Sequence, residues 1–193
     1  MQRFHLNMGL GILTLAVLFS IPGCNKTNEY SFGDLVEEMD YSSSINENFQ
    51  GTTSQENAVR SADMYMTTMY FSRQGLIKQL ELEGHTEEDA VFAADYVEAD
   101  WDKQAAGCAK NYLKIRGFSK AGLINQLQAD GFTSGQAKYG VDLTGADWKE
   151  EATRCGKEYL KTMSFTRAGL IQQLELEGFT HDQAVYGADG CGL

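Results

Sequence analysis

The sequence Gly-Leu-Ile-Lys-Gln-Leu occupies residues 75–80, returns as Gly-Leu-Ile-Asn-Gln-Leu at 122–127, and returns again as Gly-Leu-Ile-Gln-Gln-Leu at 169–174. The spacing is 47 residues both times. Internal repetition at a fixed period of this length is typical of a small structural unit that is stacked several times. The repeat therefore sets the architecture, and it favours a multiplied binding surface over a single catalytic centre.

The agreement between copies extends on both sides of this stretch. Three further motifs recur at the same spacing of 47 residues: Tyr-Leu-Lys at 112–114 and 159–161, Gly-Phe-Thr at 131–133 and 178–180, and Asp-Trp at 100–101 and 147–148. The first copy is the most divergent and reads Gly-His-Thr at 84–86. We place the copies at residues 54–103, 104–150 and 151–193, the third being truncated before an equivalent tryptophan.

Each copy reads as three short helices. In the second copy, apolar residues recur at helical spacing from Gln104 to Ile115. Ser119 is a natural N-cap for a second helix, which runs to about Asp130 and is followed by Gly131, a residue suited to a left-handed C-terminal turn. Thr133, with Gln136 three residues later, forms a capping box for a third helix.

These patterns predict an all-α fold of three tandem 47-residue repeats, each with about three short helices and a helix-turn-helix-like hairpin. Adjacent copies are expected to pack on one another, because one unit is too small to bury a full core alone. Trp101 and Trp148 are expected to help to close the junctions, with the third helix continuing toward Trp148. Gly122 lies inside a helix, where glycine costs about 1 kcal/mol relative to alanine, and is expected to mark a close contact.

The hairpin of the second and third helices has two interpretations. A helix-turn-helix binds DNA in many proteins, whereas the alternative is a hairpin used only for packing. We favour packing, because Lys138 is the one cation at 133–143 and residues 181–189 hold none. The chain has 27 acidic and 16 basic residues and a net charge of −11. This charge argues against nucleic acid and anionic lipid as partners, since phosphates are bound largely by cations, and it permits a basic partner surface.

The N-terminus has the pattern of an exported protein. Residues 10–21 are mostly apolar but too few to cross a bilayer comfortably as a permanent helix, and residues 1–23 read as a signal peptide. The sequence Ile-Pro-Gly-Cys at 21–24 resembles a bacterial lipobox, in which Cys24 becomes the lipidated first residue of the mature chain. The alternative is an ordinary cleaved signal followed by a chance cysteine.

The residues after the signal read as a tether. Residues 24–53 comprise the lipidated cysteine and a polar stretch rich in Asn, Ser, Thr, Gly and Glu, which is typical of a flexible linker. A short amphipathic segment at 32–39 is expected to form a transient helix. We therefore expect an exported domain that is lipid-anchored to the outer face of a bacterial membrane, at the cell surface or in the periplasm.

The repeat resembles that of a known family. The pattern Phe-Ser/Thr-x-x-Gly-Leu-Ile-x-Gln-Leu-x-x-x-Gly-Phe-Thr-x-x-Gln-Ala-x-Tyr-Gly, preceded by Tyr-Leu-Lys, resembles the repeat of the Ltp-type host cell surface-exposed lipoproteins. The lipobox and polar linker ahead of it match the layout of that family. This chain departs from the family pattern in having three copies, with cysteines inside them.

The resemblance implies a function in phage biology. The best-known family members are prophage-encoded lipoproteins that give superinfection exclusion, which means that they stop the DNA of a second phage from entering the cell. The implied partner is a protein of the incoming phage tail, such as the tape-measure protein. The alternative is a bacterial surface lipoprotein that binds an envelope or host protein and has no antiviral role.

Acidic residues gather near the hairpin turn of the first copy. We interpret them as a candidate partner-binding face, on which charge steers a basic helical segment and apolar packing holds it. The alternative is a solvated surface that only keeps the domain soluble. The residues of this candidate acidic face are Glu81, Glu83, Glu87, Glu88 and Asp89.

The cysteines inside the repeats leave two alternatives open. Cys108 and Cys155 occupy equivalent positions on first helices, which suits small buried apolar residues. An oxidising compartment also permits a disulfide, and Cys155 with Cys191 is the pair that we consider most plausible.

No other pattern indicates catalysis. The histidines His85 and His181 lie on expected turns, and the sequence contains neither a nucleophile elbow nor a phosphate-binding loop. No cysteine or histidine pair has the spacing of a zinc site. We therefore expect a binding protein that is not an enzyme and has no cofactor, metal or small-molecule substrate.

Overall fold

A computed structural model describes residues 49–193 together with the backbone of Cys24–Asn25. The predicted signal peptide at 1–23 and the segment at 32–39 lie outside the described residues. The described part of the chain folds into nine helices, three in each repeat, which confirms the all-α prediction. The helices are α1 Thr53–Thr68, α2 Arg73–Leu82, α3 Glu87–Tyr96, α4 Trp101–Ile115, α5 Lys120–Ala129, α6 Ser134–Asp142, α7 Trp148–Thr162, α8 Arg167–Leu176 and α9 His181–Gly190.

One short ladder accompanies the helices. Strand β1, Cys24–Asn25, pairs antiparallel with strand β2, Met69–Tyr70, which links α1 to α2. Among the described helices none is long and apolar enough to cross a membrane.

Local side-chain chemistry explains where the helices begin and end. The Ser119 hydroxyl accepts from the Gly122 N–H at 2.9 Å, as expected of an N-cap. Gly131 has φ +93°, in the left-handed region, and follows the end of the second helix of its repeat. Thr133 and Gln136 form the predicted reciprocal capping box. These local predictions are confirmed.

The tryptophans occupy a different position from the one predicted. The third helix of the second repeat ends at Asp142, and Trp148 is the first residue of the next helix. Trp101 likewise begins α4. Each tryptophan nevertheless packs against the core of the preceding repeat, so both do help to close a junction, as predicted.

Each repeat is held together by its third helix, which packs on both the first and the second helix. Close approach depends on small residues at the crossing of the first and third helices. A Cβ added at Gly140 would lie 2.7 Å from the Ala105 carbonyl carbon, and one added at Gly187 would lie 2.9 Å from that of Ala152. Larger side chains at these positions would push the two helices apart.

Three separate apolar cores result, one in each repeat. The second contains Leu123, Leu127 and Val141, all fully buried, and the third contains Leu170 and Leu174 at equivalent positions. All extensive helix pairs of the described residues lie within one repeat. Neighbouring copies therefore meet through loops, caps and helix ends, and do not share one continuous helical interface.

The same polar contact occurs at both junctions. Ser72 caps α2 and donates its hydroxyl hydrogen to the Asp130 carbonyl oxygen of the next repeat, at 2.6 Å. Ser119 does the same toward the Glu177 carbonyl oxygen, at 2.5 Å. Both serines are 2% exposed. One hydroxyl thus satisfies an amide at the start of one helix and a carbonyl at the end of another.

A second contact recurs beside it. The Phe71 N–H donates to the Gln104 side-chain oxygen at 3.3 Å. At the equivalent place the Phe118 N–H favours the charged form of the Glu151 carboxyl group and so opposes the rise of its pKa on burial. Gln104 and Glu151 are 47 residues apart, as are the two phenylalanines. The two junctions are therefore built to the same plan.

Substitution can distinguish the contribution of a junction serine to stability from that of an ordinary helix cap. Thr166 is the equivalent N-cap of the third repeat, but it is exposed. Thr166→Ala should cost about 1 kcal/mol of unfolding free energy from the lost cap alone. Ser119→Ala should cost about 1 kcal/mol or more beyond that, because it also leaves the Glu177 carbonyl unpaired. Urea unfolding monitored by circular dichroism measures both values, and equal losses would contradict a contribution from the junction.

Candidate partner-binding surface

The predicted acidic residues lie on both sides of one turn. Glu81 is in the last turn of α2, Glu83 is its C-cap, and Glu87 and Glu88 are in the first turn of α3. All four are exposed. Carboxylates near a helix N-terminus interact favourably with its unpaired amides, so the second pair also stabilises the helix that carries it.

Asp89 does not belong to this exposed surface. It is 8% exposed and accepts a hydrogen bond from the Ser54 hydroxyl at 2.5 Å. Its backbone N–H donates to the Thr86 side chain at 3.2 Å. The sequence placed Asp89 with its acidic neighbours, whereas its helical position turns it toward α1.

Glu83 is exposed, yet its carboxyl group is partly buried. Partial burial raises the pKa of its carboxyl group, and the nearby His85 opposes this shift. The Gln79 side-chain amide donates to the Tyr65 hydroxyl at 3.1 Å and to the Glu83 carboxylate at 3.4 Å. Glu83 therefore has a positioned side chain, and its charge depends on pH.

Aromatic residues lie next to the acidic turn. Glu88 lines a shallow depression together with Val91, Phe92 and Tyr96. The Phe92 and Tyr96 rings stack with their centroids 5.9 Å apart. An apolar floor beside a carboxylate is suited to a side chain that carries both a hydrocarbon stem and a positive charge.

Exposed leucines occupy equivalent places in two repeats. Leu82 is 74% exposed and Leu176 is 69% exposed, and each is the last residue of a second helix. Both stand between two glutamates, in the sequence Glu-Leu-Glu at 81–83 and 175–177. The second repeat has Gln-Ala-Asp at the same place, residues 128–130. The combination of leucine and glutamate therefore distinguishes the outer repeats from the middle one.

Charge follows the same division. Residues 54–103 hold eleven acidic and four basic residues. Residues 104–150 hold four acidic and six basic residues, and residues 151–193 hold six acidic and four basic residues. The first repeat thus produces most of the negative field of the folded region. A basic partner would be drawn toward that repeat first.

A family model described as host cell surface-exposed lipoprotein matches three segments, at residues 53–97, 100–143 and 147–190. Together these segments cover more than half of the chain, and each contains one trio of helices. The chain belongs to the host cell surface-exposed lipoprotein family. Searches of curated proteins and of solved structures found no match.

Membership of this lipoprotein family agrees with an exported, lipid-anchored protein. The side chain of Cys24, the predicted lipidation site, lies outside the described residues, so its lipidation stays a prediction. Residues 49–193 contain no cluster of three or more histidine, cysteine, aspartate or glutamate side chains that could hold a metal ion.

Within residues 49–193 of this lipoprotein, Cys108, Cys155 and Cys191 are free thiols. Cys191 donates to the Thr153 carbonyl oxygen at 3.6 Å, and its pairing with Cys155 stays a prediction. Burial raises the pKa of Cys155 to about 12, with the charge of Glu177 adding to the shift. A thiol held in its neutral form is a poor nucleophile, so the environment of Cys155 suits an apolar packing role.

The two histidines have local partners. His85 Nε2 lies 3.3 Å from the Ser61 hydroxyl, and His181 Nδ1 lies 2.7 Å from a carboxylate oxygen of Glu175. His85 replaces the buried Phe132 and Phe179 of the other copies. The first repeat therefore has a more polar end than the others.

Some of the acidic residues have structural roles that sequence reasoning missed. Asp130 accepts from the Tyr112 hydroxyl at 2.8 Å and from the Gln126 amide at 3.0 Å. Glu177 accepts from the Tyr159 hydroxyl at the equivalent place. The signal was available in the alignment of the copies, which places Tyr, Gln and an acid at the same spacing in each one.

Asp130 should make stability depend on pH. Burial raises the pKa of this carboxyl group, and the bonds from Tyr112 and Gln126 oppose that shift only in part. The folded state therefore favours the protonated form, and stability is lost as pH rises through the raised pKa. Asp130→Asn lacks this loss, so its stability relative to the wild type should increase as pH rises above the ordinary aspartate pKa of about 4 toward neutral pH. Thermal melts across that range measure the difference, and a relative stability that falls with pH would contradict the assignment.

Proposed function

We propose that this surface lipoprotein gives superinfection exclusion by binding a phage tail protein and stopping phage DNA from entering the cell. The partner is a basic, helical segment of a tape-measure-like protein. Neither nucleic acid nor a small-molecule substrate is part of this proposal, and the protein acts as a binding module and not as an enzyme.

The observation that carries the proposal is the pair of exposed leucines flanked by glutamates. Single exposed leucines are common on protein surfaces. Leu82 and Leu176, however, occupy the same position of two repeats and share the same acidic neighbours. An amphipathic helix with lysine or arginine beside an apolar stripe is complementary to such a surface.

The two kinds of residue would contribute in different ways. Burying one leucine side chain contributes about 1.5–3 kcal/mol of favourable free energy. Exposed glutamates contribute little to affinity, but they raise the rate of encounter with a cationic partner. Two equivalent sites on one rigid stack also increase the apparent affinity for a partner long enough to reach both.

The fold supports a binding role through its modularity. Each repeat has its own core, so an exposed residue at a helix end can change from copy to copy without disturbing packing. The family resemblance supports the phage-related role, since its best-known members act in exclusion. Anchoring through Cys24 would hold the surface where the tail meets the membrane.

The leucines provide the sharpest test. Cells that express the chain are challenged with phage, and adsorption is compared with the appearance of phage DNA inside the cell. Wild-type protein should leave adsorption unchanged and reduce DNA uptake. The double variant Leu82→Gln, Leu176→Gln should restore uptake toward that of cells without the protein, because it removes the apolar contacts from both outer repeats.

A matched control is available in the same chain. Ile115 and Leu143 are also exposed, at 77% and 49%, and lie at other helix ends. The double variant Ile115→Gln, Leu143→Gln should keep full exclusion. Equal loss in both variants would remove the leucine surface from the mechanism. Unimpeded infection by a broad panel of phages in the presence of wild-type protein would favour the alternative, a surface lipoprotein without an antiviral role.

Lipidation gives an independent prediction. Cys24→Ala removes the residue that would carry the lipid, so the protein should move from the membrane fraction to the soluble exported fraction. Fractionation followed by immunoblotting measures this change, and exclusion should fall with it. Membrane retention of the variant would show that Cys24 is not the anchor.

A further inference from the structure

The two ends of the repeat stack carry the two halves of an internal junction. At each junction, one repeat contributes the residues around its second-helix N-cap, which we call the cap face. The next repeat contributes part of its first helix and the C-cap of its second helix, which we call the receiving face. In the described part of the chain, repeat 3 has an uncovered cap face and repeat 1 an uncovered receiving face.

Repeat 3 keeps the cap-face chemistry. Phe165, Thr166 and Gly169 stand at the positions of Phe118, Ser119 and Gly122. Thr166 still accepts from the Gly169 N–H at 3.1 Å. Thr166 is exposed, whereas its internal counterparts are 2% exposed. Nearby Met163 is 50% exposed. The face that is buried twice inside the stack is therefore open at this end.

Repeat 1 keeps the backbone of the receiving face. Glu83 is the C-cap of the second helix in repeat 1, at the position of Asp130 in repeat 2 and Glu177 in repeat 3. The Glu83 carbonyl oxygen therefore stands at the position where the Asp130 and Glu177 carbonyl oxygens accept a serine hydroxyl. Gly84 follows with φ +97°, and a Cβ added there would meet nothing within 4 Å. A Cβ added at Gly131, the equivalent glycine of repeat 2, would lie 2.8 Å from the Ser72 hydroxyl oxygen. Among the described residues, none fills at Gly84 the space that Ser72 occupies at the first junction.

At each internal junction a large side chain on one face lies opposite a glycine on the other. At the first junction the Tyr70 ring lies over Gly107, so the large residue is on the cap face. At the second junction the order is reversed, with Gly117 on the cap face and Arg154 on the receiving face, where Arg154 donates to the Leu113 carbonyl oxygen at 2.6 Å.

The residues at the two free ends resemble those of the second junction. Ser164 stands at the position of Gly117, Arg60 at that of Arg154, and Leu160 at that of Leu113. Asn57 stands at the position of Gln104, whose side-chain oxygen accepts the Phe71 N–H, and offers a shorter side-chain acceptor. Ser61 replaces Cys108, whose thiol donates to the Tyr70 carbonyl oxygen at 3.4 Å. Met64 stands at the position of Glu158, which accepts the Gly117 N–H at 3.2 Å, so that one acceptor is lost. The receiving face of repeat 1 therefore retains several of the groups that a junction uses, but not all of them.

We propose that a second copy of this chain docks its repeat 1 on repeat 3 of the first, through a junction of the internal type. The Thr166 hydroxyl would donate to the Glu83 carbonyl oxygen, and Arg60 to the Leu160 carbonyl oxygen. Such a contact joins unlike ends, so it does not close after two copies and continues as a row. Both end repeats are negatively charged, and confinement on a membrane supplies the effective concentration that a small contact needs.

Cross-linking between two full-length versions of the lipoprotein tests this contact. Ala168 stands at the position of Ala121, whose Cβ lies 3.2 Å from a Cβ added at Gly178. Residue 168 of one copy should therefore lie beside residues 83 and 84 of the next. Ala168→Cys and Glu83→Cys are made in separate, differently tagged chains in which Cys108, Cys155 and Cys191 are replaced by serine. Both chains are co-expressed, and isolated membranes are treated with a short bis-maleimide in about 0.5 M salt, where repulsion between exposed charges is screened.

The unlike pair should give a cross-linked dimer that contains both tags. Membranes with the same amount of Ala168→Cys alone, or of Glu83→Cys alone, are the matched controls and should give only background, because like ends do not meet. Equal cross-linking in like and unlike pairs, or none in the unlike pair, would overturn the proposal. Circular dichroism of each variant confirms that the helices are retained.

Discussion

The architecture of this lipoprotein depends on one hydroxyl group at each junction. Ser72 and Ser119 each accept from an amide at the start of their own helix and donate to a carbonyl at the end of a helix in the next repeat. Groups at helix ends need partners when they are buried. One oxygen serves two such ends, and together with the other contacts of the junction it positions each repeat on its neighbour without a shared helical interface.

Local chemistry made much of this fold predictable from sequence. The caps at Ser119 and Thr133 and the left-handed turn at Gly131 involve residues close together in the chain, so the pattern alone identifies them. The cross-repeat bond from Ser119 joins residues 58 apart and depends on how two finished units meet. The helix that contains Trp148 was predicted wrongly for a related reason. Trp148 packs against the core of the second repeat, whereas the helix that it begins belongs to the third.

The candidate surface was only partly predictable. Runs of acidic residues identified the turn after α2, but sequence spacing does not show that Asp89 faces Ser54 while Glu88 faces solvent. Leu82 and Leu176 were missed because they fit the apolar pattern of a helix. Comparison of the copies separates the two kinds of position, because positions that repeat build the fold and exposed positions that change do not. The substitution of alanine for leucine in the middle repeat is such a change.

The short ladder between Cys24–Asn25 and Met69–Tyr70 has a consequence for orientation. It places the backbone of the predicted lipid-bearing residue beside the link between α1 and α2, close to the first junction and away from either end of the stack. A lipid attached at Cys24 would then hold the row of repeats along its side. The flank near the first junction, and neither end repeat, would then lie nearest to the bilayer.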